Sequence, residues 1–157
     1  MSGAPQQLYA VLVALQADTL LLPNLAVAEV VAPEGLRPLP GAPTWFAGLL
    51  NWQGRELPIA RFELLNNGAA EPPSRRTRIA VINCVSTCLS AGRYGILAEG
   101  YPHLVTLNRS ALRSAEGRPQ DSELVLARVR VASQEALIPN LERIEAEMAG
   151  VLASFSG

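Results

Sequence analysis

Few residues of this 157-residue chain carry side chains suited to covalent or metal chemistry. Cys84 and Cys88 lie four apart, His103 is the single histidine, and Glu29 and Glu99 are the only acids inside strongly apolar segments. A zinc site would need two ligands beyond the cysteines, and His103 is the only obvious nitrogen candidate. A disulfide framework in a small secreted chain normally uses more cysteines, so the pair reads as two free thiols flanking a turn. A serine–histidine system would have to use His103, which follows Tyr101-Pro102 with no orienting acid nearby in sequence, and it reads as a surface or structural histidine. Glu29 and Glu99 could form an acid/base pair, but nothing in the sequence places them together. No GxSxG, HExxH, GxGxxG or P-loop pattern occurs. All 13 basic residues are arginine, which excludes a Schiff-base or Walker-motif lysine. No catalytic residue, metal or cofactor is expected.

The composition narrows the class further. Hydrophobic residues make up 49% and charged residues 17% of the chain, far from the composition of disorder. The net charge is −1, without the basic excess of a nucleic-acid-binding protein. The length suits one domain, or two small barrels sharing a core. Residues 8–15 (LYAVLVAL) have the length of a signal-peptide core, but no Lys or Arg precedes Arg37. No run of 18 apolar residues exists to span a membrane. A cytoplasmic protein is expected, with no membrane insertion.

The elements that must position these side chains are mostly short strands. Residues 40–65 organise the chain: an apolar run from Trp45 to Trp52, a turn at Gln53-Gly54-Arg55, and a second run over 56–65 read as a β-hairpin, with Gly48, Gly54 and Pro58 shaping it. Before it, 8–15 reads as a strand apolar on both faces and 19–22 as its return. Asn24 could cap a single helical turn, 27–32 is extended with Glu29 its lone charge, and the proline-rich 33–43 is an irregular connection. Residues 66–74 (NNGAAEPPS) are the expected internal boundary. Arg75, Arg76 and Arg78 follow it, either as a solvated strand edge or as a site for an anion or partner. Strands are expected at 79–85, 93–99, 101–107, 124–131 (with Arg128 and Arg130 on a wet face) and 135–139, and a polar loop or short helix at 108–122. The chain ends in a helix over 140–153 capped by Asn140, with Leu141, Ile144, Met148, Val151 and Leu152 inward and Glu142, Glu145 and Glu147 mostly on the other side. About ten short strands between Gly/Pro loops favour small barrels over a wide sheet.

Several of these stretches carry a resemblance. Val27-Ala28-Glu29-Val30, the proline connection Pro40-Gly41-Ala42-Pro43, the turn Gly48-Leu49-Leu50-Asn51-Trp52-Gln53-Gly54, the strand Pro58-Ile59-Ala60-Arg61-Phe62 and the later Tyr94-Gly95-Ile96-Leu97-Ala98-Glu99-Gly100 together resemble the CheW-like family of bacterial chemosensory adaptors. The resemblance implies a single all-β domain over 1–157 with a C-terminal helix, built as two intertwined five-stranded SH3-like barrels sharing a core. It implies an adaptor without an active site that joins a chemoreceptor cytoplasmic tip, held in an apolar groove between the barrels, to the regulatory domain of a CheA-type histidine kinase. Two positions depart from the family pattern: Gln53 stands for the turn arginine, with Arg55 two positions beyond, and Arg61 for an aspartate. A carboxamide cannot grip a carboxylate as a guanidinium fork does, so a different choice of partner is expected. The stretch 135–142 (EALIPNLE) is similar to ChpC-type accessory members of type IV pilus chemosensory systems, which implies service to twitching motility.

Glu29, Asn51, Trp52, Gln53, Arg55 and Arg61 are the expected partner-binding residues. For Glu29 an edge-strand carboxylate facing water stands beside the binding role, and for Trp52 a place in the core. A stand-alone barrel binding a small ligand or peptide is the alternative function, and an enzyme using Glu29, Glu99 or His103 the remaining one.

Overall fold

The structure, a computed structural model, describes residues 8–108, 112–119, 121–131 and 133–155. Its strands are β1 (Leu8–Ala14), β2 (Thr19–Pro23), β3 (Val27–Val31), β4 (Phe46–Trp52), β5 (Arg55–Ala60), β6 (Thr77–Asn83), β7 (Arg93–Glu99), β8 (His103–Leu107), β9 (Leu112–Ala115), β10 (Val125–Val131) and β11 (Gln134–Pro139). A one-turn helix α1 (Phe62–Leu65) follows β5, and α2 (Leu141–Phe155) closes the chain. Six strands form one sheet in the order β8-β1-β2-β11-β10-β9, and five form the other in the order β3-β6-β7-β5-β4. The expected five-and-five division is therefore six and five. The extra strand, β9, arises in residues expected to be a loop or short helix, where pairing with β10 (Arg128 opposite Ala115, Val131 opposite Leu112) imposes extended backbone on a polar sequence.

The chain starts in the six-stranded sheet, builds the whole five-stranded sheet with residues 27–99, and returns. Residues 66–74, expected as an internal boundary, join α1 to β6 with the same sheet on both sides. The crossings between sheets lie at the 3-10 turn Asn24–Ala26 and at residues 100–102. Asn24 does not cap that turn; Pro23 occupies the cap position without a side-chain hydrogen bond. The second hairpin strand also ends earlier than expected, at Ala60. Leu64 and Leu65 belong to the helical turn α1, where Asn66 N donates to Phe62 O at 2.9 Å.

Successive strand residues point to opposite faces, and that alternation sorts the apolar side chains into three cores. In β1, Val11 and Val13 enter a core shared by both sheets, while Ala10 and Leu12 fill the inside of the first curled sheet. In β6, Ala80 and Ile82 face the shared core, and Ile79 and Val81 the inside of the second. This is why residues 8–15 read as apolar on both faces. Ile144 and Met148 of α2 reach the same shared core, and Arg143 N donates to Asn140 Oδ1 at 3.2 Å, the expected cap.

Two charges expected on wet faces are buried instead. Glu145 is fully buried. Its position shares the inward stripe of Leu141, Ile144 and Met148, and the carboxylate is tolerated there because it accepts Val85 N–H at 2.8 Å, Ser86 N–H at 2.9 Å and the Ser86 hydroxyl. Arg128 is buried because it shares the face of Leu137, which it pairs with and which lies in the shared core, and because Asp18 and Asp121 close over its guanidinium. Its guanidinium forks onto Asp121 at 2.6 and 2.7 Å and reaches Asp18 at 3.0 Å, and Arg118 joins Asp18 at 3.1 Å to Glu135 at 2.9 Å. The network ties the β1–β2 turn to the strand pair at the other end of the chain.

The hydrogen bonds from Arg128 hold the Asp121 carboxyl well below its ordinary value of 3.8, against the opposing effect of burial. A carboxyl with a lowered folded-state pKa stabilises the fold above its unfolded value, and that contribution is lost as pH falls through the folded one. Asp121→Asn should therefore destabilise the protein by about 3 kcal/mol at pH 7, with the difference from wild type shrinking progressively below pH 3.8. Urea titrations of both proteins across that range measure it.

Candidate functional site

The hairpin tip is tighter than a three-residue turn. Trp52 pairs with Arg55, so only Gln53 and Gly54 lie between the strands, with φ of 51° and 79°. Positive φ at both central residues is the type I′ turn, whose twist matches that of the flanking strands. Glycine adopts it freely; Gln53 is held there against a left-handed penalty of roughly 1 kcal/mol. Gly48 has a different role. A Cβ at this residue would lie 2.2 Å from Arg37 O, and its absence lets Arg37 exchange hydrogen bonds with Leu49 (2.9 and 2.8 Å) along the outer edge of β4.

Around the tip the expected residues come together in part. Trp52 Nε1 donates to Glu29 Oε1 at 2.9 Å, which gives the lone charge of β3 a partner across the gap between the two edge strands of the five-stranded sheet. Arg93 stacks over the indole ring, its guanidinium carbon 5.4 Å from the ring centroid. Arg55 Nη1 donates to Ala91 O at 2.9 Å. Glu29, Trp52 and Arg55 thus form one constellation with the segment 91–93, and exposed Asn51 and Gln53 flank it. Arg61 lies apart, at the far end of the hairpin about 20 Å away, where its backbone N–H donates to Trp45 O and its guanidinium to Glu71 O. The sequence reading missed Ala91 and Arg93. Their part depends on how the β6–β7 turn folds back on the hairpin, and no local pattern encodes that.

The residues suited to covalent chemistry stay scattered. Glu29 faces Val81 of β6, which faces Gly95 of β7, so Glu99 is two strands across and roughly 13 Å along the sheet. His103 is exposed at the start of β8 opposite Leu12. Cys84 and Cys88 are free thiols. Burial pushes the Cys84 thiol up to about 12, helped by Glu145 and Cys88 and opposed by Arg93, so it stays protonated at neutral pH and is a poor nucleophile or metal ligand. Among the described residues no group of three or more His, Cys, Asp or Glu could hold a metal ion. The arrangement is suited to non-covalent recognition: charged and aromatic groups at the tip, and elsewhere an uncovered apolar face. Tyr9 lies opposite Thr106, and Val11 opposite Leu104, so all four share one face of the β1–β8 pair. Val11 is buried in the shared core, yet Tyr9 and Leu104 are 58% and 63% exposed.

Residues 10–147 match the CheW-like domain family. The scaffolding protein TtCheW of Thermoanaerobacter tengcongensis has a similar structure, with a TM-score of 0.72 and 15% sequence identity over 90% of this chain and 89% of that one. At that identity the likeness is one of fold. No curated protein matches the sequence.

Two measurements probe the tip and the adjoining turn. Gln53→Asn should raise stability by roughly 0.5–1 kcal/mol, because asparagine tolerates left-handed backbone better; differential scanning calorimetry would show a higher Tm. Iodoacetamide at pH 7.5 should alkylate exposed Cys88 and leave Cys84 unmodified in the folded protein, with both labelled in urea, as read by peptide mass spectrometry.

Proposed function

The chain belongs to the CheW-like domain family, and from that premise we propose that it is a non-enzymatic chemosensory adaptor coupling a chemoreceptor cytoplasmic tip to the regulatory domain of a CheA-type histidine kinase. The observation that carries this reading is the face shared by Tyr9, Val11 and Leu104. It begins inside the core common to both sheets and continues, still apolar, into solvent. An exposed apolar margin of this kind suits the apolar face of a helical hairpin such as a receptor tip. The tip constellation of Glu29, Trp52 and Arg55, with Asn51 and Gln53 beside it, is the surface proposed for the kinase.

The turn residue is the proposed determinant of partner choice. Gln53 presents a carboxamide where the family pattern has a guanidinium, and Glu29 is engaged by the Trp52 indole. Arg61 is proposed as a second, separate contact. The stretch 135–142 supports assignment to a ChpC-type accessory adaptor of a type IV pilus system. No helix among the described residues is long and apolar enough to cross a membrane, and we place the protein in the cytoplasm, recruited to receptor arrays through its partners. A second reading, a barrel that binds a small apolar ligand, draws on a recess of 410 Å³ lined by Leu8, Tyr9, Leu21, Leu107, Leu112 and Ile138.

Pull-down of receptor-tip and kinase regulatory fragments from the host separates the two readings. The adaptor should retain both fragments. Leu104→Asp should release the receptor fragment at unchanged Tm, and Gln53→Ala should change kinase affinity severalfold, also with Tm nearly unchanged. Failure with every receptor and kinase of the host, together with a Tm raised by an apolar ligand, would replace the adaptor by the ligand-binding barrel.

A further inference from the structure

We infer that Arg75, Arg76, Arg78 and Tyr101 form a docking surface for an acidic segment of a protein partner. The surface lies at the end of β6 and β7 where Thr77 pairs with Glu99, whereas the hairpin tip contacts the other end, where Asn83 pairs with Arg93. The two surfaces are therefore roughly 20 Å apart and can be occupied together.

The arginines are held in place before any partner arrives. Ser74 N donates to Thr77 Oγ1 at 2.8 Å, Arg76 N to Ser74 Oγ at 3.1 Å and Thr77 N to Ser74 O at 3.2 Å, which locks the turn that carries exposed Arg75 and Arg76. Arg78 Nη1 donates to Arg75 O at 2.9 Å and to Thr77 O at 2.8 Å, and Nε points at the Tyr101 hydroxyl, 3.5 Å away. The same guanidinium stacks 5.5 Å from the Tyr101 ring centroid. Its Nη2 edge takes no part in these bonds. A guanidinium already fixed loses little further entropy when its Nη2 donates to a carboxylate.

Arg37, Arg118, Arg128 and Arg143 each pair with a carboxylate, but among the described residues none of Arg75, Arg76 and Arg78 does. Glu71 and Glu99 line the neighbouring cleft with Arg76 without forming an ion pair to it. Three guanidiniums within four positions of a chain of net charge −1 make a local positive field. A protein segment suits the site better than a free anion or a lipid headgroup, because Tyr101 is 63% exposed beside Arg78 and offers apolar contact that a small anion cannot use.

The test uses a capped, fluorescein-labelled peptide of alternating Glu and Leu, titrated with the full chain by fluorescence anisotropy. Saturable binding is expected, weakening severalfold between 50 and 300 mM salt as the charges are screened. The double variant Arg75→Ser/Arg76→Ser should bind at least about fivefold more weakly, and Arg78→Lys, which keeps the charge and loses the fixed Nη2 donor, should also bind more weakly. Arg75 and Arg76 lie on the surface turn and Arg78 at the start of β6, and thermal melts of the variants confirm an intact fold. Four outcomes overturn the proposal: no saturable binding, equal binding by the double variant, equal binding of a peptide with Lys in place of Glu, or phosphatidylserine vesicles or inorganic phosphate displacing the peptide as well as its unlabelled form does. Because the probe is synthetic, the result is independent of whether the receptor and kinase fragments are retained.

Discussion

Two curled sheets sharing one apolar core are the constraint on which everything else in this molecule depends. A strand that separates two cores must be apolar on both faces, and β1, β2, β6 and β7 obey that rule with Val11, Leu12, Leu20, Leu21, Ala80, Val81, Ile96 and Leu97. At about 1.5–3 kcal/mol for each large aliphatic side chain fully buried, the shared core outweighs any surface ion pair, whose worth is about 0–1 kcal/mol. The high apolar content follows from this geometry, and so does the position of the functional groups. Polar and charged residues are pushed to strand ends, turns and the outer strands.

Arg128 and Glu145, two charges that enter the interior, are each held by several partners. Arg128 meets two aspartates, and Glu145 accepts two backbone amides and a hydroxyl. Such groups cost several kcal/mol when left alone, so each stands where the chain supplies all its partners, and each joins segments distant in sequence. Glu145 ties α2 to the turn after β6. That turn continues to Ala91 and Arg93, which hold the hairpin tip through Arg55 and Trp52. The tip is therefore braced from behind by the terminal helix as well as by its own strands.

The surface shows the opposite pattern. Gln53 is held with left-handed backbone, Tyr9 and Leu104 carry apolar area into water, and Arg75, Arg76 and Arg78 form no ion pair among the described residues. None of these adds to folding stability, and an adaptor that works by being covered would leave its contact residues in this condition. Bound partners would relieve the exposed apolar area and the local positive charge.

The sequence by itself determined the strand-rich class, most strand positions, the hairpin, the capped terminal helix and, through the motifs at 27–30 and 48–54, the family. These features rest on local patterns: alternation, glycine at a left-handed turn, an asparagine one residue before a helical stripe. Only the tertiary structure decided where the patterns were overridden. Asp18 and Asp121 closed over Arg128, pairing with β10 drew residues 112–115 into a strand, and the return of the β6–β7 turn brought Arg93 to Trp52. It also divided the predicted site, joining Glu29 to Trp52 and Arg55 while leaving Arg61 at the other end of the hairpin. The physical reason is the same each time. Burial and hydrogen-bond satisfaction depend on segments far apart in the chain, and these come together only when both sheets close on their common core.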